Sequence, residues 1–237
     1  MNLESLLISR DAALLGVLRP TLEKMSVNVD VCTEKRSGND ILAKRKFDAV
    51  IIDCDDLQDG VTMLHELRAT QSNAKSVAFA VLNGKTSTQQ AFQFGANFVL
   101  QKPLTPLHAT RCFHAALNFM LRERRRYFRC PLEMPVRLSI PRIGDVTASS
   151  TNLSEGGIAI RVPSQLQKDT TVGVSFTLPN KASFELKGQI AWTDATGHAG
   201  IQFIEVPQSS QYQLEKWLSE RLQDDMPRAL QGYASLH

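Results

Sequence analysis

Five arginines fall within eight residues, at Arg122, Arg124, Arg125, Arg126 and Arg129. Guanidinium groups are planar, permanently charged and forked, so they suit phosphate oxygens and can lie flat on an aromatic base. Further along comes Asn152-Leu153-Ser154-Glu155-Gly156-Gly157. It reads as a short polar turn: side chains that hydrogen-bond locally, then glycines that let a ligand approach the backbone. Together the two segments describe a pocket for an anionic, purine-containing small molecule. A second chemical pair lies earlier in the chain. Asp53 closes the run Phe47-Asp48-Ala49-Val50-Ile51-Ile52-Asp53 and is followed by Asp55, Asp56 and Gly60, and Lys102 precedes Pro103.

Regular elements must hold these residues in place. In the first half, Leu6–Ile8, Val27–Cys32, Ala49–Asp53, Val77–Leu82 and Phe98–Leu100 read as strands. Helical patterns near 11–25, 37–45, 58–71, 86–94 and 105–122 separate and follow them. Such alternation predicts an α/β unit, a doubly wound (βα)5 parallel sheet covered on both faces. Its functional crevice lies at the carboxyl ends of the strands, where Asp53 and Lys102 fall. A longer helix, from Leu104 to about Arg125, carries a stripe of Leu107, Phe113, Leu117, Met120 and Leu121 and runs into the arginines without a Gly/Ser linker. His108 and His114 are expected to be exposed or to pack on this helix.

After Pro131 the period changes to two. Strands are expected at 136–140, 146–153, 158–162, 172–178, 184–192 and 199–203, with turns at Gly144, Gly156-Gly157, Pro179-Asn180 and Thr196-Gly197. Six short strands predict a closed β-barrel. A helix over 209–222 closes it, with Tyr212, Leu214, Trp217, Leu218 and Leu222 available for burial. Trp192 is placed in the core and His198 at a strand end. The expected domains are 1–121 and 122–225, followed by a tail over 226–237 that frays after Pro227.

Residues 123 to about 223 resemble the PilZ domain, the bacterial receptor for cyclic di-GMP. The match rests on Arg125-Arg126-Tyr127-Phe128-Arg129 (Arg-x-x-x-Arg), on Asn152-Leu153-Ser154-Glu155-Gly156-Gly157 (Asp/Asn-x-Ser-x-x-Gly) and on Gly200-Ile201-Gln202-Phe203 before the closing helix. The resemblance implies that Arg125 and Arg129 grip phosphates and guanine Hoogsteen edges, and that Arg126 or Arg124 stacks on a base. Asn152 would read a guanine edge. Ser154 would add a hydroxyl contact or hold the turn, and Gly156 and Gly157 would admit the ligand. The first 120 residues resemble the receiver domain of response regulators, in which Asp53 stands at the phosphoacceptor aspartate and Lys102-Pro103 at the Lys-Pro after the fifth strand. Ser9 and Arg10 stand where that family has its Mg²⁺-binding acids, with only Asp11 nearby, and Asn83-Gly84 replaces Ser/Thr-Ala. The expectation is a degenerate receiver, with Asp53 paired to Lys102 or Arg10.

The remaining features narrow the function. The chain has 237 residues, 43% hydrophobic and 22% charged, with a net charge of +3. That charge is small for a general nucleic-acid coat. No apolar run reaches the roughly 18 residues that span a bilayer, and the N-terminus lacks a basic leader. Cys32, Cys54, Cys112 and Cys130 form no metal spacing and fit a reducing, cytoplasmic setting. No nucleophile–base pair or metal site marks an enzyme. The sequence therefore points to a non-enzymatic cyclic di-GMP effector without a cofactor. The messenger would couple to a receiver-like domain that meets a protein partner or a second copy. Two alternatives stay open: a nucleic-acid-binding response regulator, and a phosphorelay receiver phosphorylated at Asp53.

Overall fold

The computed structural model describes residues 2–57, 59–163, 166–227 and 230. They fall into two compact units: the residues up to Arg124 together with those from Asp225 onward, and Arg125–Asp224.

The first unit contains β1 (Leu3–Ile8), α1 (Ala12–Lys24), β2 (Val27–Cys32), α2 (Lys35–Lys44), β3 (Ala49–Asp53), α3 (Gly60–Ala69), β4 (Val77–Leu82), α4 (Thr88–Gln93) and β5 (Phe98–Gln101). The sheet is parallel, in the order β2-β1-β3-β4-β5. Every residue of β3 and β4 is buried, as expected of central strands covered on both faces. Asp11 caps α1 by accepting from the backbone N–H groups of Ala13 and Leu14. Ser87 and Gln90 form a capping box that starts α4. The strand order reverses between β1 and β3, so the residues following these two strands share one crevice.

Helix α5 (Pro106–Tyr127) follows, starting and ending two residues later than expected and helical through Arg125 and Arg126. Its buried stripe is Ala109, Phe113, Ala116, Leu117, Met120, Leu121 and Glu123. Leu107, assigned to that stripe on spacing, is instead 58% exposed. It sits in the first turn, just before the buried stripe begins at Ala109.

The second unit is a barrel of β7 (Pro135–Ile140), β8 (Gly144–Ser154), β9 (Gly157–Arg161), β10 (Thr171–Thr177), β11 (Ser183–Thr193) and β12 (His198–Glu205). The order β8-β7-β10-β11-β12-β9 closes on itself through β8–β9 pairing. Alternate residues such as Val136, Leu138, Val172, Val174, Phe184 and Leu186 point inward. A two-residue strand, β6 (Cys130–Pro131), pairs with β8 and was too short to carry a periodic signal. Helix α6 (Gln208–Asp224) buries Leu214, Trp217, Leu218 and Leu222, while Tyr212 is exposed. Little of the expected tail lies among the described residues. Met226 and Leu230 are buried, since apolar side chains too few to show a period still find cover, and the rest of 228–237 lies outside the described residues.

Candidate functional site

The Asn152–Gly157 segment is not a turn from its first residue. Asn152, Leu153 and Ser154 end β8, Glu155-Gly156 form a two-residue connection, and Gly157 opens β9. Ser154 is buried, and its hydroxyl donates to the Gly157 carbonyl at 3.0 Å, so it holds the hairpin. The Gly156 carbonyl accepts from the Phe203 N–H at 2.9 Å, which ties the connection to β12. Gly157 needs its missing side chain for the barrel: a Cβ there would run into the Ile201 carbonyl of β12. At Gly156 a Cβ would meet open space.

Beside this hairpin lies a cleft of about 630 Å³, within the range of small-molecule sites. Arg126 and Tyr127 reach it from the last turn of α5, and Arg129 from the segment after. Asn152, Ser154, Gly156 and Gly157 line the hairpin side, and Trp192, Gly200 and Gln202 the side of β11 and β12. No Asp or Glu is among the described lining residues, and the nearest acid of the hairpin, Glu155, lies in the field of Arg126. The side-chain carbonyl of Asn152 is buried without a hydrogen-bond partner. An unpaired buried polar atom costs about 1–3 kcal/mol, a penalty that a ligand donor would relieve.

Trp192 belongs to this cleft and not to the core. Strict alternation along β11 points it inward with Phe184, Leu186 and Ile190. A register shift between Ile190 and Trp192 inserts one extra residue and turns the indole out, leaving it 47% exposed. Its partner on β12 is Gly200, where any Cβ would collide with the indole ring. The glycine therefore gives the ring its seat.

The other arginines are placed differently. Arg125 does not line the cleft. It lies in the field of Glu155, whose carboxyl is pushed up by burial and by Glu215 and pulled back by Arg125 and Arg126. Arg124, expected in the ligand site, belongs to the first unit. It pairs with buried Asp48 at 3.5 Å and donates to the Asn2 carbonyl at 3.3 Å. Helical geometry explains the split, because neighbours along α5 point about 100° apart.

At the carboxyl edge of the parallel sheet, Asp53 is fully buried. Its Oδ2 accepts from the Ser9 hydroxyl at 2.6 Å and from Lys102 Nζ at 3.0 Å, and its Oδ1 has no partner. Lys102 also donates to Asp11 and Asp56. Burial opposes the lysine charge, but these three carboxylates outweigh it and hold the ammonium pKa above its usual value. Arg10 takes no part; it turns outward to the Thr33 carbonyl and Glu34.

Family models match both units: the response regulator receiver domain over residues 6–111, and the PilZ domain over residues 123–220. The chain joins a receiver domain to a PilZ domain. Each part is also similar to solved structures. The receiver domain of the sensor histidine kinase PA1611 from Pseudomonas aeruginosa PAO1 is 19% identical, with a TM-score of 0.44, over 48% of this chain and 97% of that one. The PilZ domain of CeSA from a cellulose-synthesizing bacterium is 19% identical, with a TM-score of 0.34, over 40% and 98%. The Bacillus subtilis inhibitor of motility MotI/DgrA is 18% identical, with a TM-score of 0.38, over 44% and 54%. No curated protein gives a significant match.

In the receiver domain the carboxylates of Asp11, Asp53 and Asp56 come within 4.8 Å of one another. Asp56, of the acidic run that follows Asp53, thus joins the group while Asp55 does not. The trio does not fit the hydrated, octahedral site that Mg²⁺ requires, because the Lys102 ammonium already bonds all three carboxylates and would oppose a second cation among them. Millimolar Mg²⁺ with beryllofluoride is therefore expected to leave the ¹⁹F spectrum free of a protein-bound signal. A bound signal abolished by Asp53→Asn would show that phosphoryl chemistry survives at this edge.

Proposed function

We propose that the chain is a non-enzymatic receptor for cyclic di-GMP, with the PilZ cleft as the binding site and the receiver domain as a protein-interaction module. One observation supports this reading most: Arg126, Arg129, the unpaired side-chain carbonyl of Asn152 and Trp192 converge in a cleft whose described lining holds no acidic residue. Forked guanidinium donors match phosphate oxygens and the O6/N7 edge of guanine. The amide can exchange hydrogen bonds with a base edge, and an exposed indole offers a stacking surface. Such an arrangement binds and orients; no group within it is poised to attack. The four free cysteines accord with a cytoplasmic setting, and among the described residues no helix is long and apolar enough to cross a membrane.

Calorimetric titration of the full chain with cyclic di-GMP, beside GMP as a control, tests the reading. Saturable binding of the cyclic dinucleotide at micromolar or lower concentration is the expected result, and heats no larger than those of GMP would overturn it. Trp192→Ala is expected to weaken binding about ten-fold, since base–aromatic stacking contributes about 1–3 kcal/mol. Barrel stability should barely change, because the indole is not core. Unchanged affinity in that variant would remove Trp192 from the site.

A further inference from the structure

Pairing across the barrel sets two rows of outward positions side by side on β8, β9 and β12. The first row is Asn152, Ala159 and Gly200, with Trp192 of β11 lying against Gly200. It belongs to the nucleotide cleft, and its small residues leave a floor between the amide and the indole. The second row is Ser149, Arg161 and His198. A register shift between Ser150 and Asn152 keeps Ser149 and Asn152 on one face of β8. Arg161 follows Ala159 by two residues on the same face of β9, about 7 Å along the strand. It lines a second cleft, of about 880 Å³, together with Ser149, Thr147, Thr196 and Glu133. The two clefts thus adjoin along β8 and β9.

The second row aims one arginine. Arg161 Nε donates to His198 Nε2 at 3.4 Å, so that ring nitrogen accepts and the ring proton sits on Nδ1. Nδ1 faces the Thr196 hydroxyl at 2.9 Å, and this hydroxyl donates in turn to Asp194 at 2.8 Å. Asp194 also accepts from the backbone N–H groups of Thr196 and His198, which fixes the turn between β11 and β12. The bonds engage only Nε of the guanidinium. Among the described residues its two terminal NH₂ groups meet no acceptor, and no carboxylate pairs with it. A fork held at the end of a nucleotide floor suits a ligand with two adjacent acceptors.

Guanine has such a pair. Its O6 and N7 accept side by side, and the N1–H and N2–H₂ groups next to O6 donate. Arg161 matches the first edge, and the exposed Glu133 carboxylate in the same cleft offers an acceptor to the second. Adenine places an N6–H₂ donor where guanine has O6, against the arginine. We propose that Arg161, positioned by His198, reads the second guanine of cyclic di-GMP, while Arg126 and Arg129 hold the other half of the molecule. The inference rests on the cyclic di-GMP reading of the first cleft and names the residue that makes it selective for two guanines.

Calorimetry tests it by comparing cyclic di-GMP with a cyclic GMP–AMP of the same phosphate linkage, in which guanine can fill only one half. The full chain is titrated as wild type, Arg161→Ala, Arg161→Lys, His198→Ala and His198→Gln, each checked for folding by circular dichroism. Wild type is expected to prefer cyclic di-GMP by about ten-fold or more, the discrimination of one bidentate contact. Arg161→Ala and Arg161→Lys should each reduce that preference to about two-fold or less, since lysine keeps the charge and loses the fork. His198→Ala should lower it in part, and His198→Gln, which still offers Nε–H an acceptor, should restore it. A preference unchanged in Arg161→Ala, or kept in full by Arg161→Lys, overturns the proposal, and equal effects of the two His198 variants overturn the positioning role. Cyclic di-GMP binding that persists with an unchanged preference is a failure of Arg161 alone. Absence of binding in wild type is a failure of the cleft reading itself.

Discussion

Replacing Arg129 with alanine is expected to weaken cyclic di-GMP binding by roughly ten- to hundred-fold, the equivalent of one charge-assisted contact at about 1.5–3 kcal/mol. Arg129 is exposed in the cleft wall, directly after α5, so its loss removes a phosphate contact without opening a cavity. Thermal unfolding should therefore stay where it was. Arg126→Ala should act in the same direction, and the double variant should lose binding in the accessible concentration range. Arg125 is the discriminating residue. It stands outside the cleft, in the field of Glu155. Arg125→Ala can match Arg129→Ala only if the last turn of α5 unwinds on binding and swings that side chain inward. Hydrogen exchange of the 122–129 amides, with and without nucleotide, reads this directly. Faster exchange with ligand accompanies a large Arg125 effect, and unchanged exchange accompanies a small one. Full affinity retained by Arg129→Ala would remove the arginine segment from the site.

Much of this was legible in the chain because the signals were periodic. Continuous apolar strands alternating with amphipathic helices give a parallel sheet, and the switch to period two after Pro131 gives the barrel. What escaped depended on register and on direction around a helix. Trp192 looked internal because alternation along β11 holds until the shift after Ile190, and nothing local in Ile190-Ala191-Trp192 announces an extra residue. Gly200 held a usable hint, since a glycine opposite a tryptophan leaves room for the ring. Gly157 was read as space for a ligand, but its constraint is the Ile201 carbonyl across the barrel, a long-range contact that no turn motif encodes. Leu107 and Tyr212 fit helical spacing yet sit where no neighbour covers them. In the receiver domain the trio around Lys102 joins residues far apart in the chain, and only the sheet topology brings them together.

Arg124 shows why arginines cannot be assigned by clustering alone, and its variant carries the second large effect. Arg124→Ala should destabilise the receiver domain by about 3 kcal/mol near neutral pH, because it leaves a buried carboxylate without its partner. It should leave cyclic di-GMP affinity unchanged, the reverse of Arg129→Ala. The carboxylate is Asp48, 2% exposed, which also accepts from the Glu4 N–H at 2.8 Å. Burial raises its pKa from 3.8 to about 6, although Arg124 pulls it down. The sign of the pH dependence follows. An acid whose folded pKa is raised binds more protons folded than unfolded between about pH 4 and pH 6, so its contribution to stability falls as pH rises through that window. Removing Arg124 takes away the cation that lowers this pKa, and the folded pKa rises further. The penalty is accordingly small at pH 4, where Asp48 is protonated with or without Arg124, and grows as pH rises past 6. Hydrogen exchange in β1 and β3 of the full chain at pH 5 and pH 7.5, with exchange rates corrected for pH, measures it. A penalty equal at both pH values would mean that Arg124 acts through its bond to the Asn2 carbonyl and through packing, and not through the charge of Asp48.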